Sequence, residues 1–92
     1  MLLHLILMTA DDFGPRLRAE REARDISLSQ LGAKTKVSVE LWEGLERNDF
    51  SRWPSGVFAR AFVRDYAQVV GLDQDGDPQQ QLLIELRRRW TY

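Results

Sequence analysis

The side chains of this sequence that could do chemistry include a set of charged and hydroxyl groups in residues 25–48. Ammonium, guanidinium and hydroxyl groups donate hydrogen bonds to phosphate oxygens, whereas carboxylates repel them. The candidates for contact with nucleic acid in this segment are Lys34, Lys36, Ser38, Glu40, Glu43 and Arg47. Because two of the six are acidic, any binding of duplex DNA is expected to be weak, to use mainly phosphates and to fall with salt.

A second set of candidates lies in the sequence FARAFVR, where aromatic and basic residues alternate. Phe58 and Phe62 are one helical turn apart, and so are Arg60 and Arg64. An aromatic stripe at helical spacing is more often core than a partner surface. The few helices of a small domain cannot cover every face, however, so part of FARAF is expected to remain exposed, where aromatic side chains can anchor a partner.

No constellation in the sequence supports catalysis. There is no nucleophile beside a base, no pair of histidine ligands and no Gly-rich phosphate loop. The absence of Cys excludes disulfides and thiolate metal sites, and it fits the cytoplasm. We therefore predict a cytoplasmic, non-enzymatic protein with no cofactor, no metal site and no small-molecule substrate.

The first candidate set lies on two short predicted helices joined by a tight turn. Ser27 is a good N-cap, and Gln30, three residues later, completes a capping box. Ser38 caps the following helix, and Asn48 ends it because Asn tolerates the left-handed conformation. Two helices with a turn of three or four residues form a helix-turn-helix unit.

Three further helices are predicted around this unit, which gives an all-α, five-helix domain. The first helix ends near Arg24, the fourth covers residues 57–70, and the fifth starts at Asp77 and Pro78. Trp42 shares the inner face of the third helix with its leucines. Trp53, in the loop that follows, is expected to fold back over the helix ends.

Length and charge limit the organisation of the chain. Ninety-two residues suffice for one domain, and the net charge of −1 is a mild argument against nucleic acid as a partner. The apolar residues 1–8 are far fewer than the ~20 of a membrane span. We expect a poorly ordered extension over residues 1–10, a helix-turn-helix domain over 11–75, a C-terminal helix over 76–92, and no membrane span.

Several short motifs resemble those of a known group of helix-turn-helix domains. They are LR at Leu17 and Arg18, SL at Ser27 and Leu28, TK at Thr35 and Lys36, DFxxWP over 49–54, and FARAFVRDYAQVVGL over 58–72. Together they resemble the lambda-repressor-like fold of the XRE regulators and, more closely, the N-terminal cytoplasmic domain of the bacterial RodZ cell-shape family. The resemblance covers roughly residues 13–75.

The resemblance implies two functions of different class. XRE regulators place the second helix of the unit in the major groove of DNA, so a DNA-binding transcriptional regulator is our first hypothesis. The alternative is a docking module of the RodZ type, which binds the actin-like filament protein MreB through the fourth helix. Phe58, Arg60, Phe62 and Arg64 would then contact the partner. In either function, the C-terminal helix offers a surface for a homodimer.

The same resemblance assigns a structural role to one ion pair. Arg21 of the first helix and Glu46 of the third are expected to form the partly buried pair that ties these helices together in XRE domains. Loss of one partner would leave the other charge poorly solvated, at a cost of ~3 kcal/mol if burial is deep.

Overall fold

The computed structural model describes residues 12–74 and 76–90, with only the backbone of Trp90. These residues form five helices and no strand, so the predicted all-α fold is confirmed. The helices are α1 (Phe13–Ala23), α2 (Leu28–Thr35), α3 (Val39–Glu46), α4 (Gly56–Val70) and α5 (Gln80–Trp90). The predicted extension over residues 1–10 lies outside the described residues.

The helix-turn-helix unit formed by α2 and α3 is held by capping at both N-termini. The Ser27 hydroxyl accepts from the Gln30 amide at 3.0 Å, and the Gln30 side chain accepts from the Ser27 amide at 2.8 Å. The Ser38 hydroxyl accepts from the Leu41 amide at 3.3 Å. Both caps satisfy amides that a helix start leaves without an intrahelical partner, and such a cap contributes ~1 kcal/mol.

A close approach of the two helices of this unit depends on Gly32. A Cβ atom built there would lie 2.9 Å from Cγ2 of Val39 and 3.2 Å from the Val37 carbonyl oxygen. The first of these separations is shorter than van der Waals contact allows, so any larger residue would push α3 away from α2. The angle at which α3 is presented therefore follows from a small residue in α2.

One core lies between all five helices, with the Trp42 ring at its centre. The ring centroids of Tyr66, Phe62 and Trp53 lie 5.6, 5.9 and 5.9 Å from that of Trp42. Burial of a Leu or Phe side chain contributes ~1.5–3 kcal/mol, so this cluster supplies much of the folding free energy. The apolar residues with no exposed surface are Phe13, Leu17, Leu31, Trp42, Leu45, Tyr66, Leu72 and Leu86.

Helix α5 packs against α4 and α1 and closes the bundle. Its residues Leu82, Leu83 and Leu86 are buried in the same core as the helix-turn-helix unit. An ion pair adds to this packing. Nη2 of Arg24, at the end of α1, lies 2.7 Å from Oδ2 of Asp77, in the turn before α5. The C-terminal helix therefore shares the apolar core of the other four.

Two features are not found in the part of the chain that the structure describes. Within residues 12–74 and 76–90, no helix combines the length and apolar character that a membrane crossing requires. The same residues contain no cluster of carboxylates or imidazole with the geometry of a metal site.

Candidate binding surfaces

A buried polar network holds α1, α3 and α4 together beneath both candidate surfaces. Nε and Nη2 of Arg21 donate to the two carboxylate oxygens of Glu46 at 2.7 and 2.9 Å. Both side chains are more than nine-tenths buried. The predicted ion pair therefore forms, and its bidentate geometry fixes α1 against α3.

Tyr66 of α4 is a third member of this network. Its hydroxyl lies 2.8 Å from Glu46 Oε2 and 3.2 Å from the Leu17 carbonyl oxygen. Burial, followed by the charge of Glu46, raises the pKa of Tyr66 well above its usual value. The hydrogen bond that Arg21 donates to Glu46 likewise raises the pKa of Arg21. The network therefore keeps Tyr66 a neutral donor and Arg21 a cation, and it joins α4 to the other two helices.

The outer face of α3 is acidic at its middle and basic only at its edges. Glu40 and Glu43 are exposed there, and Arg47 follows the end of the helix. Exposed Lys34 and Lys36 belong to the end of α2 and the turn. The remaining candidate for DNA contact, Ser38, uses its hydroxyl to cap α3. This face offers few donors for base readout, because base edges are read mostly by Arg, Lys, Asn and Gln.

The aromatic stripe of α4 divides into an exposed and a packed part. Phe58 is 64% exposed and its neighbour Val57 is 63% exposed. The Phe62 ring, one turn later, is half-buried, with its centroid 5.9 Å from that of Trp42 and 6.0 Å from that of Trp53. Of the two predicted aromatic anchors, only Phe58 is therefore fully available to a partner, while Phe62 also supports the core.

Helical geometry arranges the exposed side of α4 as an apolar strip with a basic edge. At ~100° per residue, Phe58, Ala61 and Val57 lie side by side, and Arg64 and Arg60 follow on the same side of the helix. Both arginines are exposed, and Arg64 is 3.9 Å from Asp65. We call this surface, made of Val57, Phe58, Ala61, Arg60 and Arg64, the α4 face.

A cleft of about 610 Å³ lies beside the α4 face, between α4 and the turn of the helix-turn-helix unit. Phe62 lines both this cleft and the edge of the stripe, and Val37 and Leu41 supply further apolar surface. The residues that line the cleft are Thr35, Lys36, Val37, Ser38, Glu40, Leu41, Arg52, Phe62 and Asp65. The cleft therefore combines apolar walls with charged groups of both signs.

Several residues of these surfaces were not identified from the sequence, and Val57 and Arg52 are two of them. Val57 precedes the stripe, and its exposure beside Phe58 depends on where the core ends. Arg52 lies in the loop before α4, and its position at the cleft depends on how that loop folds. The one available signal for Arg52 was its place between Phe50 and Trp53, two apolar residues that hold the loop against the core.

Known proteins share sequence with most of the described helices. A family model described as a helix-turn-helix domain matches residues 16–76. The chain is 35% identical over 66 residues to the cytoskeleton protein RodZ of Streptococcus pneumoniae, which covers 72% of this chain and 24% of RodZ. It is 38% identical over 50 residues to the uncharacterized membrane protein YmfM of Bacillus subtilis, which covers 54% of this chain and 17% of YmfM. The chain thus aligns with about a quarter of RodZ and less of YmfM. No solved structure matches it significantly.

Proposed function

This chain belongs to the helix-turn-helix domain family, and on that premise we propose that it is a non-enzymatic protein-docking module. Its partner is an actin-like filament protein of the MreB type, and the contact is made by the α4 face. The partner follows from the RodZ resemblance, and the choice of surface follows from the exposure of side chains on α4.

The observation that carries the proposal is the exposure of Phe58. A phenylalanine that is 64% exposed beside a valine that is 63% exposed leaves apolar area in water that a partner can cover. Aromatic side chains and arginines are enriched among the residues that contribute most of the binding energy at protein interfaces. The α4 face has this composition, since Arg60 and Arg64 border the apolar strip.

The similarity to RodZ supports this choice of partner class. RodZ of Streptococcus pneumoniae is named a cytoskeleton protein, and the aligned part covers 72% of this chain. Because the chain aligns with only 24% of that relative, the activities of the whole protein come to this chain only as proposals. We propose a cytoplasmic location on the same basis, since the resemblance is to a cytoplasmic domain.

A second candidate function is DNA binding by a transcriptional regulator. It is favoured by Lys34, Lys36 and Arg47, which are exposed and have no ion pair among the described residues. Glu40 and Glu43 stand between these cations and oppose the approach of phosphate. Binding of this kind would consist of a few phosphate contacts and would be lost as salt is raised.

The domain boundaries and the oligomeric state of the chain are also proposals. We propose residues 11–75 as the helix-turn-helix domain, with the C-terminal helix over 76–92 packed on it through its leucines. A homodimer through that helix stays a prediction, for which Ile84, 43% exposed on α5, is the apolar contact available.

Co-sedimentation with MreB filaments tests the docking function. The wild-type chain should pellet with filaments, and Phe58→Ala should bind about 30-fold more weakly, because loss of a central aromatic anchor costs ~2 kcal/mol. Ile84→Ala is the matched control, since it also removes an exposed apolar side chain but lies on α5. Equal binding by all three proteins would contradict the proposal.

A further inference from the structure

The structure points to a second recognition element beside the α4 face. We propose that the cleft between α4 and the helix-turn-helix turn receives a segment of the docked protein that carries a carboxylate next to an apolar side chain. Lys36 and Arg52 bind the carboxylate, and the apolar side chain packs on Phe62 and Leu41. This inference rests on the proposed docking function and names the chemistry that the site selects.

The backbone of Lys36 gives the first reason. Lys36 has φ of 62°, in the left-handed region, where its amide closes α2 by donating to the Gly32 carbonyl at 2.9 Å. Glycine, or next asparagine, adopts this conformation at lower cost, whereas a side chain with a Cβ is strained there. A lysine at such a position is expected where its side chain has a use, and here it lines the cleft.

The second reason is that the two cations of the cleft are not engaged in ion pairs within the described part of the chain. Neither Lys36 nor Arg52 forms a hydrogen bond or ion pair through its side chain there. By contrast, Arg24 and three arginines of α1, namely Arg16, Arg18 and Arg21, are each paired with a carboxylate. The cleft therefore presents the donor groups that bind carboxylates, with no carboxylate of the chain bound to them.

Two carboxylates also line the cleft, and both have favourable surroundings of their own. Glu40 lies in the first turn of α3, where the helix dipole stabilises a negative charge. Asp65 is half-buried and lies 3.9 Å from Arg64. Lys36 has no such compensation, Arg52 interacts electrostatically with Asp49 without forming an ion pair, and Arg60 and Arg64 add positive charge across the α4 face. A partner group of negative charge is therefore favoured over one of positive charge.

The position of the cleft makes it continuous with the α4 face. Phe62 belongs to the stripe of α4 and also forms part of the cleft wall. A partner that covers Phe58 therefore reaches the cleft within one helical turn, about 5.4 Å along α4. Its apolar side chain would bury Phe62 and Leu41 further, and its carboxylate would meet Lys36 and Arg52 at the rim.

The test uses variants of Lys36 in the filament-binding assay together with thermal unfolding. Lys36→Gly should bind MreB filaments about tenfold more weakly, because it loses a hydrogen bond to a charged group. Its Tm should be unchanged or higher, because glycine relieves the left-handed strain. Lys36→Asn, which also tolerates that conformation, should behave alike, and Arg52→Gln should weaken binding similarly. Lys34→Ala is the matched control, since it removes an exposed cation that does not line the cleft.

The outcomes separate this inference from the function on which it rests. If Phe58→Ala loses binding but Lys36→Gly and Arg52→Gln bind as the wild type does, the cleft is not a carboxylate site and only the inference falls. If Glu40→Gln or Asp65→Asn weakens binding while Lys36→Gly does not, the partner group is a cation, which also overturns it. If the wild-type chain does not bind filaments, both the inference and the docking function fail.

Discussion

The two halves of α4 have similar apolar content and opposite surroundings. The second half buries Val63, Tyr66 and Val70 in the core, whereas the first half exposes Val57 and Phe58 to solvent. Helical periodicity indicates which residues share a face, but whether that face is buried depends on the other elements that pack on it. The comparison shows that a single amphipathic helix can be buried in the core at one end and leave apolar side chains exposed at the other.

The boundary between the two halves is set by the loop that precedes α4. Trp53 of this loop meets the Phe62 ring edge-on, with planes at 88°. Phe58 lies one turn before Phe62, beyond the core cluster that takes in Phe62 and Trp53. The exposed half of α4 therefore begins where the aromatic contacts of Trp53 and Trp42 end.

The largest predicted effect comes from breaking the network that anchors the buried half. Glu46→Ala removes an acceptor of Arg21 and Tyr66 and leaves the buried guanidinium without its bidentate carboxylate, so the free energy of unfolding should fall by ~3 kcal/mol. Urea denaturation measures this change. Arg18→Ala, which breaks only the exposed pair with Glu22, is the control and should cost less than ~1 kcal/mol. Equal small losses for both variants would mean that the network does not anchor α4.

The two phenylalanines of the stripe should respond differently to truncation. Phe62→Ala is expected to lower unfolding free energy by ~2 kcal/mol, below the range for a fully buried Phe because this ring is half-buried. Phe58→Ala should change it by less than ~0.5 kcal/mol, as for most surface positions. Thermal or urea unfolding of the pair checks this. Comparable losses would place Phe58 in the core and remove the distinction between the two halves.

The hydroxyl of Tyr66 should make the free energy of unfolding sensitive to alkaline pH. At neutral pH, Tyr66→Phe should cost ~1 kcal/mol, the usual net value of a hydrogen bond. Because the folded-state pKa of Tyr66 is raised above the unfolded value near 10, its stabilisation is complete below pH 10 and is lost as the pH rises further. In urea denaturation between pH 8 and about 11, the difference in unfolding free energy between the wild type and Tyr66→Phe should decrease as the pH rises. An advantage that does not change with pH would contradict this assignment.

Charge reversal on α3 gives the smallest expected effect and tests the competing surface. Glu40→Arg combined with Glu43→Arg should raise affinity for random duplex DNA about fivefold at low salt, because two repulsions of phosphate become attractions. The same double variant should retain filament binding, and any change should be an increase, because Glu40→Arg adds a cation to the wall of the cleft. Unchanged DNA binding would show that α3 is not a DNA-binding face.

Much of the fold follows from local sequence signals. The caps at Ser27 and Ser38, and the left-handed end at Asn48, were predicted from residue type and appear in the structure. These features depend on backbone geometry and on side chains within four residues, so the sequence determines them locally. The five-helix fold was predicted from these signals together with apolar periodicity.

The binding surfaces could be predicted only in part, because they depend on contacts between distant residues. The sequence identified Phe58 and Phe62 as one stripe, but the division between them depends on Trp53. The hydrogen bond from the Tyr66 hydroxyl to Glu46 depends on the packing of α4 against α3, which no local pattern specifies. The cleft and its two unpaired cations likewise arise from the approach of the turn to α4.

Amide chemical-shift mapping with unlabelled MreB tests the central claim most directly, because it locates the contact without any substitution. The docking account predicts changes in residues 57–62 of α4 and in Lys36 and Arg52 at the cleft, with the amides of residues 80–84 of α5 unaffected. Changes concentrated in residues 39–47, with the first half of α4 unaffected, would contradict it.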